Sequence, residues 1–326
     1  MTRFLVRRLF WALFLFLAAT IVTFLIFFVI PGDPALISAG SGATATPQFL
    51  AHVRHELHLD VPLLQQYWLF VWNLVRHGSL GYSFRNGAPV RWIVGQDAPV
   101  TASVVFGGAV LWLALAIPIG ILSGLRPRSL VDRTAMAYVL IGVSAPAVWI
   151  GLLLSYLFGY KLGWTPIAGY CNFFPGRAVE ICSGPGQWAY HLILPWLTFT
   201  FLFAALYVRL IRANVLETLS EDYVRTAWSK GAPGRRVLVH HVLRNSLLPV
   251  VTILGMDIGL ALGGAVFTEI VFNLHGLGSE LVTAAQNEDL PVVVGIVVFA
   301  TIAVIVFNFL VDVAYAWLDP RIRLEG

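Results

Sequence analysis

The sequence predicts an all-α polytopic membrane protein of six transmembrane helices, with an extracytoplasmic region between helices one and two. Three observations carry that prediction. Hydrophobic residues make up 58% of the chain and charged residues only 12%, whereas a soluble domain is nearer half apolar and a quarter charged. A chain with so little polar surface belongs in a bilayer, and its mean hydropathy of +0.80 agrees. Six runs approach or exceed the roughly 20 apolar residues that span hydrocarbon as a helix. Lys and Arg gather in alternate connections, as the cytoplasmic side of a multi-pass protein requires.

The first run, 9–30, follows Arg3, Arg7 and Arg8. It is longer than the core of a cleaved signal peptide and reads as an uncleaved anchor. The others cover about 100–125, 134–160, 192–210, 247–270 and 291–317. Arg126, Arg128 and Arg133 fill the second connection, Arg209 to Arg244 crowd the fourth, and Arg321 and Arg323 lie near the end. The fifth connection holds Glu280, Glu288 and Asp289 and no basic residue. Both termini are therefore expected in the cytoplasm. The net charge of +4 is a topology signal and gives no reason to invoke nucleic acid.

Four parts are expected: the helix 1–30, an extracytoplasmic cap 31–99, a five-helix core 100–317 and a tail 318–326. Pro31-Gly32-Asp33-Pro34 stops the first helix abruptly. Within the cap, 47–59 and 63–75 suit amphipathic helices, the second with Tyr67, Trp68 and Trp72 fit for an interface, and Gly78-Ser79-Leu80-Gly81 breaks it. His52, His55 and His58 miss the spacing of a His-Glu-x-x-His zinc site and read as a wetted face, so no metal site is assigned. Cys171 and Cys182 share the outward third connection. Such a pair reads as a disulfide of an oxidising compartment, the alternative being two free thiols.

The most telling stretch is polar. Asp222-Tyr223-Val224-Arg225-Thr226-Ala227-Trp228-Ser229-Lys230-Gly231, with the residues to about 246, reads as two short helices around Gly231-Ala232-Pro233-Gly234. Acidic residues favour the start of the first, and Pro233 forces a bend. The loop, 212–246, reads as a docking element on the inner face, against the plainer reading of a solvated positive loop. In the fifth span Gly255, Gly259 and Gly263 recur every four residues, lining one face for close helix packing. Asp257 beside them is an intramembrane carboxylate, by default a functional candidate. Its expected place is the translocation path or a partner contact.

These residues resemble the membrane permease subunits of the dipeptide/oligopeptide/nickel group of binding-protein-dependent ABC importers. The cytoplasmic loop of that family carries Glu-Ala-Ala, three residues and Gly. Here Arg225, Thr226, Ala227 and Gly231 hold that spacing, with Arg225 in place of Glu and a bulky Trp228. The segment Arg244-Asn245-Ser246-Leu247-Leu248-Pro249 is similar to the peptide-type subgroup. Ser129 with Asp132-Arg133, Ser144-Ala145-Pro146, Gly276-Leu277-Gly278 and Asp319-Pro320-Arg321 extend the likeness over almost the whole chain.

The resemblance implies a type I ABC importer permease fold in a bacterial plasma (inner) membrane. It implies a second homologous permease subunit, two ATPase subunits and an extracytoplasmic solute-binding protein, besides membrane lipid. Asp222, Tyr223, Arg225, Thr226, Ala227 and Gly231 take the ATPase-coupling role, with Arg235 and Arg236 as charge partners. The sequence has no Gly-x-x-x-x-Gly-Lys-Ser/Thr phosphate loop, so no cofactor is expected on this chain, and ATP with Mg belongs to the partners. The expected function is a transport subunit for di- or oligopeptides rather than an enzyme. Alternatives are a permease for nickel or another small solute, or an ion-coupled secondary transporter, for which only Asp257 offers an ion site.

Overall fold

The computed structural model describes residues 2–25, 61–174, 182–262 and 265–318, together with Ala51 and Arg54. Of the expected helix 47–59 only Ala51 and Arg54 are described, and its histidines, the Pro31–Pro34 stop, Gly263 and the end of the tail lie outside the described residues. The described chain is helical. Helix α1 (Thr2–Phe24) is followed by α2 (Leu63–His77), which ends where Gly78 turns left-handed at φ +57° and caps the carbonyls of Asn73 and Leu74. Thr20 and Tyr67 hydroxyls lie 3.0 Å apart, and Phe24 meets the Tyr67 ring edge-on, so α2 is fastened to α1.

Helix α3 (Val90–Leu125) begins well before the apolar run marked at residue 100, because helical hydrogen bonding continues past the hydrocarbon edge. Ser129 caps α4 (Leu130–Ser144) by accepting the Asp132 N–H. The third apolar run is not one straight helix. It breaks at Ala145-Pro146, bends by 106° and resumes as α5 (Ala147–Leu154), passing into a wide π-type turn over Ser155–Lys161. Pro146 lacks an N–H and drives Ala145 out of the helical region, to ψ 128°. Helix α6 (Pro185–Ser220) is far longer than the fourth apolar run and carries its axis out past Arg209 and Arg212.

The remaining elements are α7 (Asp222–Ser229), α8 (Gly234–Leu262), α9 (Val266–Val271), α10 (Leu277–Gln286) and α11 (Leu290–Leu318). Among the described residues, four helices are long and apolar enough to cross a membrane: α3, α6, α8 and α11. The bent pair makes a fifth if counted as one span. The described apolar part of α1, Phe10–Phe24, is shorter.

Small residues hold these helices together, since in lipid the burial of apolar groups gives helices little reason to associate. Gly108 lies against Phe199, Gly120 against Ile211 and Gly124 against Val215. The constant offset shows α3 and α6 running parallel and in register. Trp112, fully buried between them, stacks on Phe203 with ring centroids 4.6 Å apart. Gly255 and Gly259 face α11, where a Cβ on Gly259 would stand 2.9 Å from the Val304 backbone. A smaller core of Val90, Ile93, Leu277, Val292 and Ile296 joins the α3 start to α10 and α11.

Candidate functional site

The polar loop is built as two helices folded against each other. Glu221, in an extended conformation, separates α6 from α7. Gly231 takes φ +75°, which only a residue without Cβ adopts freely. Its N–H and that of Ala232 close on the carbonyls of Trp228 and Ala227 at 2.9 and 3.2 Å. No atom lies within 4 Å of the position a Gly231 Cβ would take, so the demand is on the backbone. Val224, Val237 and Val242 are buried, and Ala227 packs beside them. Asn245 donates to the Tyr223 hydroxyl at 2.7 Å, and Asn214 on α6 donates to the Ser246 carbonyl at 3.1 Å.

The candidate residues thus divide by face. Tyr223 and Ala227 hold the pair of helices together, and Gly231 makes the turn. Asp222, Arg225, Thr226, Arg235 and Arg236 are exposed, as are Trp228 and Lys230. Asp222 and Arg225 approach only to 3.9 Å on open surface, a pair that contributes little to stability. The exposed rim is therefore basic and aromatic, and four of its cations are Arg225, Lys230, Arg235 and Arg236.

Behind the loop, one carboxylate ties three helices together. Asp132 is almost completely buried. It accepts from Arg212 Nε and Nη2 at 2.5 and 3.0 Å, from Ser123 Oγ at 2.6 Å and from the Arg128 N–H at 2.7 Å. Ser123 is on α3, Asp132 on α4 and Arg212 on α6. Sequence reasoning counted Arg212 only as a charge near the inner face. The available signal was the Ser129-x-x-Asp132 spacing of a helix cap, which marks the carboxylate but not its partner.

On the opposite side Glu269 was missed altogether. It is fully buried on α9 and accepts from Thr101 Oγ1 at 2.7 Å and from the Ser279 N–H at 2.8 Å. Thr101 in turn accepts the Leu277 N–H at 2.8 Å. A carboxylate placed at the start of α10 satisfies amides that have no partner in the helix. A Cβ at Gly276 would overlap this carboxylate, which gives the Gly276-Leu277-Gly278 motif its physical reason. Asp289 plays a similar part nearby, accepting from Ser83 Oγ and from the Phe84 N–H at 3.0 Å. It fastens the Gly78–Ser83 segment to the start of α11. Burial, with the Asp289 charge adding to it, raises the carboxyl pKa of Glu280 on α10, while His275 opposes the shift.

Asp257 on α8 accepts a 2.8 Å hydrogen bond from the Tyr207 hydroxyl of α6. Tyr207 belongs to the aromatic group of Trp112, Phe199 and Phe203. Gly255 and Gly259 sit on another side of the same helix, against α11. Cys171 and Cys182 are joined as a disulfide with Cα atoms 5.3 Å apart.

Residues 116–324 match the family described as binding-protein-dependent transport system inner membrane component, and residues 1–105 match its N-terminal membrane component. The chain is 36% identical over 320 residues to a probable peptide ABC transporter permease of Sinorhizobium fredii, covering 98% of this chain and 99% of that one. It is 37% identical to the probable D,D-dipeptide permease DdpB of Escherichia coli, over 99% of this chain and 98% of the other. The dipeptide permease DppB of the same organism is 36% identical, with 99% of both chains covered. In fold it is similar to the solved MetNI methionine ABC transporter, at 17% identity and a TM-score of 0.51, over 70% of this chain and 97% of that chain.

Proposed function

Because the chain belongs to the binding-protein-dependent transport system inner membrane components, it is the permease of an ABC importer, a multi-pass inner-membrane subunit and not an enzyme, and we propose that it forms half of an ATP-driven pathway for di- or oligopeptides. The peptide relatives support the cargo class. In this reading a solute-binding protein delivers the cargo from outside, a second homologous permease completes the pathway, and two ATPases bind ATP with Mg. Both termini face the cytoplasm, on the side of the basic connections.

The observation that carries the reading is the α7–α8 turn: a rigid inner face of Val224, Val237 and Val242 beneath an exposed rim of Arg225, Trp228, Lys230, Arg235 and Arg236. Such a rim fits an acidic groove on an ATPase. Closure of the ATPases on ATP would draw α7 sideways. Asn214 and the Asp132–Arg212 pair connect that displacement to α3, α4 and α6, so the helices move as a unit. Two states are then selected by differential binding of partner and nucleotide. Asp257 and Tyr207 stand as candidates for the path, a hydrogen-bonded polar pair that lets a carboxylate reside in the membrane.

The test is co-purification from native membranes in mild detergent, followed by an ATPase assay and peptide uptake after reconstitution. Recovery with two ATPase chains and a second permease, with uptake that needs ATP and a peptide-loaded binding protein, is the expected outcome. Uptake driven by an ion gradient and indifferent to ATP would replace this reading with secondary transport.

A further inference from the structure

The elbow between α4 and α5 is a feature that the transport reading leaves unused. Two gauges place it at mid-depth in the membrane. From Arg133 to Ser144 is eleven residues, about 16 Å along a helix, against roughly 30 Å of hydrocarbon. Gly142 lies against Ala205 and the Phe201 carbonyl, and the Tyr138 hydroxyl donates to that carbonyl at 2.8 Å. Phe201 and Ala205 stand near the middle of the fourth apolar run.

Helical hydrogen bonding lapses at the elbow. The Ala145 N–H still reaches the Ile141 carbonyl at 3.1 Å, and the Ile150 N–H reaches the Pro146 carbonyl at 3.2 Å. Among the described residues, the carbonyls of Gly142, Val143, Ser144 and Ala145 accept no hydrogen bond, and the Ser144 hydroxyl makes none. Ser144 and Pro146 are exposed, as are Leu140, Ile141 and Trp149. At this depth such backbone is not left facing lipid; it is found where protein covers it or where it borders a watery cavity.

The elbow encloses an open recess of about 570 Å³, lined by Leu140, Ile141, Ser144, Ala145, Pro146 and Trp149. Apolar walls with a few polar groups are the usual make-up of a small-molecule site, and the volume is in the usual range. Being open on one side, it is half a site, as suits half a pathway. Carbonyls at the C-terminal end of a helix carry the negative end of its dipole, and broken helices of transporters hold cations with such groups at mid-membrane. A helix of a neighbouring subunit offers few donors here, because its own N–H groups are used internally. A peptide brings an α-ammonium with three N–H donors and a positive charge.

We propose, resting on the importer reading above, that the α4–α5 elbow seats the amino-terminal end of the transported peptide. The carbonyls of Ser144 and Ala145 and the Ser144 hydroxyl accept from its α-ammonium, and Leu140, Ile141 and Trp149 hold its first side chain.

The experiment places one thiol at the elbow, as Ser144→Cys or Ala145→Cys, in the whole complex purified in mild detergent. The native cysteines stay joined as a disulfide and do not react. Alkylation of this chain by a charged, water-soluble maleimide is followed by mass, alone and with trialanine or N-acetyl-trialanine. No binding protein is added, so delivery plays no part. The thiol is expected to react, trialanine to slow it, and the acetylated peptide to need about tenfold more for the same protection, the size of one charge-assisted hydrogen bond. Either variant that assembles suffices. No reaction at either position means that lipid or protein covers the elbow, and overturns the proposal. So does a reaction that trialanine leaves unchanged, or equal protection by both peptides. Recovery of the ATPases and second permease in the same preparation reports on the importer reading separately.

Discussion

Arg212 grips Asp132 through two nitrogens, at 2.5 and 3.0 Å, so that the inner part of α6 is bound to the start of α4. The same carboxylate holds Ser123 of α3. Ten residues on, about 15 Å along the helix, α6 gives way to the exposed α7. The basic residues that mark this end of α6 in the sequence do not reveal that one of them, Arg212, meets a buried carboxylate.

Removing one member of this pair should be costly. Asp132→Ala leaves a guanidinium and two further donors without their acceptor, and breaking a largely buried pair costs on the order of 3 kcal/mol. The detergent-solubilised variant is expected to melt earlier, and its reconstituted complex to hydrolyse more ATP per peptide imported. The reversed pair, Asp132→Arg with Arg212→Asp, should recover part of the ratio. An unaltered ratio in Asp132→Ala would remove the mechanical role.

Gly231→Ala places a Cβ on a backbone held at φ +75°, at a cost of about 1–2 kcal/mol. Gly231→Asn should be milder, because Asn visits that region more readily. Insertion and expression are expected to stay near wild type while binding-protein-stimulated ATP hydrolysis falls, further for Ala than for Asn. The reverse order would point to contact with the partner rather than to the turn.

Two helix glycines give an internal control for packing. Gly259→Ala drives a methyl group to 2.9 Å from the Val304 backbone, whereas Gly95→Ala on α3 meets nothing within 4 Å. The first is expected to destabilise by about 1–3 kcal/mol through overpacking. The second should stabilise by roughly 0.5–1 kcal/mol, because Ala loses less backbone freedom in a helix. Thermal midpoints of the two variants, measured side by side, check the opposite signs.

The raised carboxyl of Glu280 predicts a pH effect. A group that holds its proton more tightly when folded contributes stability that is complete below its ordinary value of 4.5. That contribution is lost as pH rises through the elevated value. Glu280→Gln should therefore melt higher than wild type at pH 8 and lose the downward slope with rising pH. A parallel pair of melting curves across the range would show that the carboxyl does not titrate this way.

The helix–turn–helix around Gly231 was legible because its physics is local. A Gly and a Pro between two amphipathic stretches make a helix, a turn and a helix wherever they occur, and the charges outline the face that stays wet. The Gly255–Gly259 stripe was legible as small residues on one face, though its neighbour was not: α11 is met only when the chain folds back. Helix ends were read less well, since hydropathy reports the hydrocarbon edge and hydrogen bonding ignores it. That is why α3 and α6 outrun their apolar runs, while the third run is divided for a different reason, the proline at 146, which hydropathy does not register.

By itself, then, the sequence determined the membrane class, the basic character of alternate connections and the turn at Gly231, which follow from composition, periodicity and the conformational limits of single residues, while the family rested on the resemblance of its motifs. Tertiary structure alone decided which polar groups meet. Asp132 finds Arg212, Glu269 finds the first amides of α10, Asp257 finds Tyr207, and His191 comes to rest on the Cys171–Cys182 bond. Each of these partners is brought in by helix packing, and the reason is energetic. In a medium without water a buried charge or amide must be satisfied by whichever donor or acceptor the packing places within 3 Å, and no local pattern in the chain records which one that is.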